Sequence, residues 1–212
     1  MQYNEVRQYY LDKFQDMGSS RLYNKNKVIN FSRGENILLV REGRVKVSTV
    51  SESGNEKILY ILSEGDLVGE IEYFNKSTHD YDVTTLTKCS VQVMETNEFH
   101  TTVSKNRSIY EYLIKSIIRK FEIVTSQLTD NVFKDAEGKI ASVLVRMASQ
   151  EGKEVNGHIE YFYLKHQDMA DLLGCSRVTI TKTLKKFRDQ KIIDISDNKI
   201  KILHKDKLLS YI

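Results

Sequence analysis

The hydrophobic period changes near residue 97, and this constrains the fold more than any other feature of the chain. Before that point apolar residues recur at every second position in short runs. Val45 and Val47 alternate with Arg44, Lys46 and Ser48, and Val83, Thr85, Val91 and Val93 keep the same period. Ile58 to Leu62 forms a nearly continuous apolar run, and Gly34, Gly43, Gly54, Gly65 and Gly69 fall between the runs. Side chains of a strand alternate between two faces, so short period-two runs separated by glycine turns predict an all-β barrel or sandwich. Residues 1–22 read as one or two short helices. From Ile109 the period is helical: Tyr110, Ile114, Ile117, Phe121, Val124 and Leu128 are spaced 4, 3, 4, 3, 4, an a/d seam of almost three heptads. Leu113, Ile118 and Ile123 widen the apolar face, so one side of the helix is available to a partner helix while the other packs on the β domain.

Composition narrows the class. The chain has 212 residues, 40% apolar and 29% charged, enough for one large domain or two modest ones. No apolar run approaches the ~18 residues that cross a membrane. Met1 to Phe14 mixes Glu5, Arg7, Asp12 and Lys13 with aromatics, unlike a signal peptide, so a cytoplasmic location without membrane attachment is expected. The two cysteines, Cys89 and Cys175, form neither a metal-binding spacing nor a disulfide framework, and no metal site is expected. The net charge is +3, but residues 131–212 carry 15 basic and 11 acidic side chains against 17 and 18 before them. Within 176–191 six cations (Arg177, Lys182, Lys185, Lys186, Arg188, Lys191) face Asp189 alone. Such a cluster suits a polyanion, or simply a solvated helix face.

Residues 164–187 carry the functional signal. Met169, Leu172 and Leu173 line the inner face of a first helix, and Ala170 is small enough for a second to approach. Gly174 supplies a left-handed turn, and Ser176 can cap the second helix, whose buried side is Ile180, Leu184 and Phe187. Arg177, Val178 and Lys182 then lie near its exposed N-terminal end, which a helix-turn-helix inserts into the major groove. Arg177 can offer two donors to a guanine edge, and Lys182 can reach a base or a phosphate. Lys165, Gln167, Ser176, Thr179, Thr181, Lys185 and Lys186 are candidate phosphate or nearby contacts. Ile192, Ile193, Ile195, Ile200 and Ile202 flank Asp197-Asn198 and read as a hairpin wing.

The segment Gly174-Cys175-Ser176-Arg177-Val178-Thr179-Ile180-Thr181-Lys182 resembles the recognition segment of the Crp/Fnr family of bacterial regulators. Gly65-Asp66-Leu67-Val68-Gly69-Glu70 resembles that family's β-roll signature. The resemblance covers about residues 22–205. It implies an α+β fold: a jelly-roll-like β-roll sensor domain over 1–108, a dimerisation helix over 109–130 and a winged helix-turn-helix domain over 131–212. Asp130 or Asn131 is the expected cap of the next helix. The resemblance also implies a homodimer on double-stranded DNA with a near-palindromic site, and RNA polymerase is a further candidate partner. Arg177, Val178 and Lys182 occupy the family's base-reading positions. The middle one is often Glu, whereas Val178 can only pack on a thymine methyl.

The same resemblance bears on the effector. Cyclic-AMP-binding members carry an Arg-Ser pair about ten residues after their Gly-Glu. Here those positions are Asp80 and Tyr81, and a carboxylate repels a cyclic phosphate. Gly69, Glu70, Asp80, Tyr81, Thr125 and Ser126 are the candidate pocket, for a small effector other than cyclic AMP or for none. The family's iron–sulfur sensors need a set of cysteines and its carbon monoxide sensors a proline ligand to haem. With two cysteines and no proline, neither cofactor is expected. The chain has no P-loop, nucleophile elbow or dinucleotide fingerprint, so an enzyme is not expected. A winged helix that binds protein rather than DNA is the remaining alternative, and salt dependence would separate the two.

Overall fold

A computed structural model describes residue 8, residues 11–76 and residues 80–212. The chain divides into two compact units, Met1–Val124 and Thr125–Ile212.

Among the described residues the first unit has seven strands: β1 (Ser19–Tyr23), β2 (Asn36–Glu42), β3 (Arg44–Val50), β4 (Glu56–Ser63), β5 (Leu67–Val68), β6 (Asp82–Thr85) and β7 (Cys89–Glu95). They form two antiparallel sheets, ordered β1-β7-β2-β5 and β4-β3-β6. β2 is apolar at four successive positions because both of its faces are covered. Leu38 and Val40 enter the interior of the roll with Val45, Val47, Tyr60, Leu62, Val83 and Val91. Ile37 and Leu39 point the other way, against Phe99 and Val103 of α2 (Thr96–Ser104) and Ile109 and Leu113 of α3 (Arg107–Phe133). Each such buried side chain contributes about 1.5–3 kcal/mol. One expectation for the first unit fails. Ser19–Tyr23 is a strand, not helix: it pairs along β7 with Ser19 opposite Val93, and pairing with a distant partner overrides the local reading. In the rest of the expected N-terminal helical segment Gln8 and residues 11–13 are helical and residues 14–18 form turns and bends, while residues 1–7, 9 and 10 lie outside the described residues.

Helix α3 has two distinct faces. Ile109, Leu113, Lys120, Ile123, Gln127 and Asp130 are buried. On other sides Ile114, Ile118, Phe121, Val124 and Leu128 remain 54, 49, 69, 40 and 65% exposed. Of the expected seam, Tyr110 and Ile117 are half-buried and the other four are exposed.

The second unit continues with α4 (Ala136–Glu151), β8 (Lys153–Val155), β9 (His158–Phe162), α5 (His166–Leu173), α6 (Arg177–Asp189), β10 (Ile193–Ser196), β11 (Lys199–Ile202) and α7 (Lys205–Leu209). The expected cap at Asp130 or Asn131 is displaced. Asp130 is buried and paired with Lys134 at 2.8 Å and Arg146 at 3.7 Å, and α3 runs on to Phe133. Asp135 caps α4 instead, its carboxylate accepting from the Gly138 N–H at 2.8 Å. The wing is present as read: Asp197 and Asn198 take φ of 53° and 58°, the geometry of a tight hairpin turn between β10 and β11. It belongs to a four-stranded sheet ordered β10-β11-β9-β8. Among the described residues no helix is long and apolar enough to cross a membrane.

Candidate nucleic-acid interface and β-roll site

The link between α5 and α6 is short because Gly174 takes a left-handed conformation, φ 64°, at the C-cap of α5. A residue with a Cβ adopts that conformation only with strain. The chain re-enters helix two residues later at Ser176, whose Oγ accepts from the Thr179 N–H at 3.1 Å. Ile180, Leu184 and Phe187 anchor α6 in the core together with Met169, Leu172 and Leu173 of α5.

This anchoring decides what α6 presents. Arg177, Val178, Thr181, Lys182 and Lys185 are all exposed, at positions that share one side of a 3.6-residue helix. Val178 is 63% exposed, an apolar side chain left in water between two cations. Among the described residues no carboxylate pairs with Arg177, Lys182 or Lys185, and the first turn of α6 contains no acid. The helix N-terminus adds its own positive end. The arrangement is suited to an anionic duplex.

The other expected contacts divide. Ser176 and Thr179 are joined at the cap, Oγ to Oγ1 2.8 Å. Lys165 is exposed at the N-terminus of α5. Gln167 donates to Asp171 at 2.8 Å on its own helix. Lys186 lies away from this face: its ammonium donates to Glu137 at 2.6 Å and sits 5.2 Å from the Tyr211 ring, and both contacts hold its proton more tightly than usual. Sequence reading missed His166. Its Nδ1 lies 2.8 Å from Thr181 Oγ1, and burial followed by the charge of Arg177 lowers its proton affinity.

In the β-roll, Gly69 (φ 98°) turns the chain from β5 into α1 (Glu70–Asn75); a Cβ there would lie 2.7 Å from the Asn36 carbonyl oxygen. The turn delivers Glu70 into the interior, where it is fully buried. Lys120 of α3 meets it, forming an ion pair with Glu70 Oε1 while donating to the Leu67 carbonyl at 2.8 Å. Ser116 donates to the same Oε1 at 3.2 Å, and Arg119 pairs with Asp66 at 3.1 Å. Tyr60 lies beneath the Lys120 ammonium at 5.6 Å. Burial, then the charges of Glu70 and Glu72, push the Tyr60 hydroxyl well above its ordinary range. Tyr81 is also buried and its hydroxyl is pushed up, first by burial and then by Glu72.

Asp80 does not join this cluster. Its side chain is fully exposed and pairs with Arg33 at 3.3 Å, while Arg33 also donates to the Tyr81 carbonyl. Thr125 and Ser126 belong to the second unit, where Ser126 accepts from Arg146 at 2.8 Å. Lys120 is a site residue that sequence reading did not single out. Its spacing from Ile109, Leu113, Ile123 and Gln127 follows the buried face of the helix, which was the available signal. Among the described residues no group of three His, Cys, Asp or Glu could hold a metal ion.

Residues 23–106 match the cyclic nucleotide-binding domain, and residues 138–211 match the Crp-like helix-turn-helix domain. A protein of Mycobacterium tuberculosis described as a CRP-like cAMP-activated global transcriptional regulator is 24% identical over 176 residues, covering 82% of this chain and 79% of its own. FixK2 from Bradyrhizobium japonicum superposes with a TM-score of 0.79 at 17% identity, over 92% of this chain and 97% of its own. CooA from Carboxydothermus hydrogenoformans does so with a TM-score of 0.75 at 23% identity, over 91% and 87%. A nucleotide-binding-type β-roll, a long helix and a winged helix-turn-helix together define a DNA-binding transcription regulator. The chain belongs to the Crp/Fnr family.

Proposed function

We propose that this regulator works as a homodimer joined along α3, without enzymatic activity, and reads a near-palindromic site with Arg177, Val178 and Lys182. The observation that carries the reading is the unpaired cationic face of α6, with Val178 exposed at its centre. Lys165, Ser176, Thr179, Thr181 and Lys185 would hold flanking phosphates, whereas Lys186 is committed to Glu137. The exposed stripe Ile114, Phe121, Val124 and Leu128 supports pairing with a second copy, because solvated apolar rows of this length are costly. Two recognition helices then sit about 34–36 Å apart, one DNA turn.

In this reading the effector is not cyclic AMP. Asp80 and Tyr81 replace the Arg-Ser pair, and Glu70 already has a cation in Lys120. The protein therefore answers to another small molecule or binds DNA without one, and it needs neither haem nor an iron–sulfur cluster.

Selection of bound sequences from a random duplex pool by the ligand-free protein tests the proposal. A palindromic motif with half-sites one turn apart, bound with an affinity that falls steeply with salt, supports it. Absence of enrichment both with and without added cell metabolites overturns it.

A further inference from the structure

We infer that His166 is a phosphate-binding residue of the DNA interface that grips only when protonated, so that DNA binding takes up a proton at this ring. The inference rests on the DNA-binding face proposed above and adds a residue and a dependence that the face does not itself require.

The hydrogen bonds around Thr181 decide which atom of His166 carries a proton. Thr181 Oγ1 donates to the Arg177 carbonyl at 2.9 Å. A hydroxyl has one proton, so the arrangement that makes both contacts at once has the imidazole donate its Nδ1–H to Oγ1 across the 2.8 Å contact. In that arrangement Nδ1 is protonated in either charge state. In the neutral ring Nε2 is then an acceptor, which repels a phosphate oxygen. In the imidazolium Nε2 becomes a donor and the contact gains a full charge.

The surroundings favour the neutral ring before DNA arrives. From α6, Arg177 is the charge acting on the ring and Thr181 the neutral acceptor; from the β9–α5 link, Tyr163 meets the ring edge-on at 6.1 Å. Lys165 and Asp168 flank it on its own helix. Partial burial and Arg177 both disfavour the imidazolium, in that order. A duplex phosphate placed on this face reverses the balance, because its negative charge offsets Arg177 and offers an acceptor to Nε2.

The sign follows from linkage. Well above the bound-state pKa both forms are neutral, and below the free-state pKa both are charged, so affinity is level at each extreme. Between them affinity rises as pH falls, by up to about tenfold per pH unit for each proton taken up. Each added cation on a phosphate also steepens the plot of log affinity against log salt by about 0.9.

The test is to measure affinity of the full chain for its selected site from pH 5.5 to 8.5 at several salt concentrations. Wild type, H166Q, H158Q and H100Q are compared. Wild type, H158Q and H100Q are expected to bind more tightly at low pH with a steeper salt slope. H166Q is expected to lose both dependences, because glutamine can donate to Thr181 but cannot be charged. A parallel 15N spectrum of the free protein should place the neutral ring's proton on Nδ1. A flat wild-type profile, a slope retained by H166Q, or a slope lost in H158Q overturns the inference while leaving the DNA-binding reading intact. Absence of DNA binding at every pH overturns both.

Discussion

Glu70 and Lys120 lie 50 residues apart and form an ion pair whose side chains are 0 and 4% exposed. The pair joins the first turn of α1 to the middle of α3, beside the parallel contact of Arg119 with Asp66. Glu70, a candidate pocket residue, is thus held by a cation of the chain itself.

Removing the cation should be costly. Lys120→Met leaves a buried carboxylate without its charge partner, and the expected loss is about 3–5 kcal/mol of stability. The double variant Glu70→Gln with Lys120→Met should recover much of it. Urea unfolding of the single and double variants measures both, and an equal loss in the two would show that packing rather than charge dominates.

Local geometry between α5 and α6 should be visible in stability. Ser176→Ala removes the acceptor of the Thr179 N–H and should cost roughly 1 kcal/mol. Gly174→Ala forces a Cβ into left-handed backbone where no neighbouring atom lies within 4 Å, so strain alone should cost roughly 1–2 kcal/mol. Thermal unfolding of the two single variants and their combination reads these values directly.

Base and phosphate contacts should separate by type. Arg177→Ala should lower affinity by about 1–3 kcal/mol and relax one position of the half-site. Lys185→Ala should weaken all sequences alike and reduce the salt slope by about 1. Val178→Glu should exchange an A·T preference for a cytosine opposite that side chain. An unchanged selected motif in Val178→Glu would refute the assignment of this position.

The apolar stripe of α3 should govern assembly. Phe121 is 69% exposed, so Phe121→Glu has little reason to unfold a single chain. It should shift sedimentation from dimer to monomer and lower affinity for the palindrome more than for one half-site. Unaltered sedimentation would remove α3 as the seam.

Stability at acid pH should fall through the wing sheet. Glu160 accepts from Lys199 at 2.8 Å and His158 at 2.9 Å, and these bonds lower its pKa to about 2. The folded value lies below the unfolded value of about 4.3, so the contribution is complete above that pH and is lost as pH falls toward 2. Glu160→Gln should flatten this part of the pH profile of urea unfolding.

The elements that were legible in advance depend on near neighbours. Gly174, Ser176 and the Asp197-Asn198 turn act within about four residues of themselves, and the α3 stripe repeats with the helical period. The errors have the opposite character. Ser19–Tyr23 became a strand through its pairing with β7, and Asp130 is buried where Arg146, sixteen residues on, reaches it.

Sequence by itself determined the succession of β domain, long helix and winged helix-turn-helix, the turn and cap of the helix-turn-helix, and which side of α6 faces water, because each follows from local backbone preference and hydrophobic period. Only the tertiary structure decided that Lys120 meets Glu70, that Arg119 meets Asp66 and that Lys186 is taken by Glu137 across 49 residues. It also brought His166 within 2.8 Å of Thr181, fifteen residues away. Long charged side chains have many rotamers and little periodic signature, so their partners are chosen by which surfaces the packed core brings within reach.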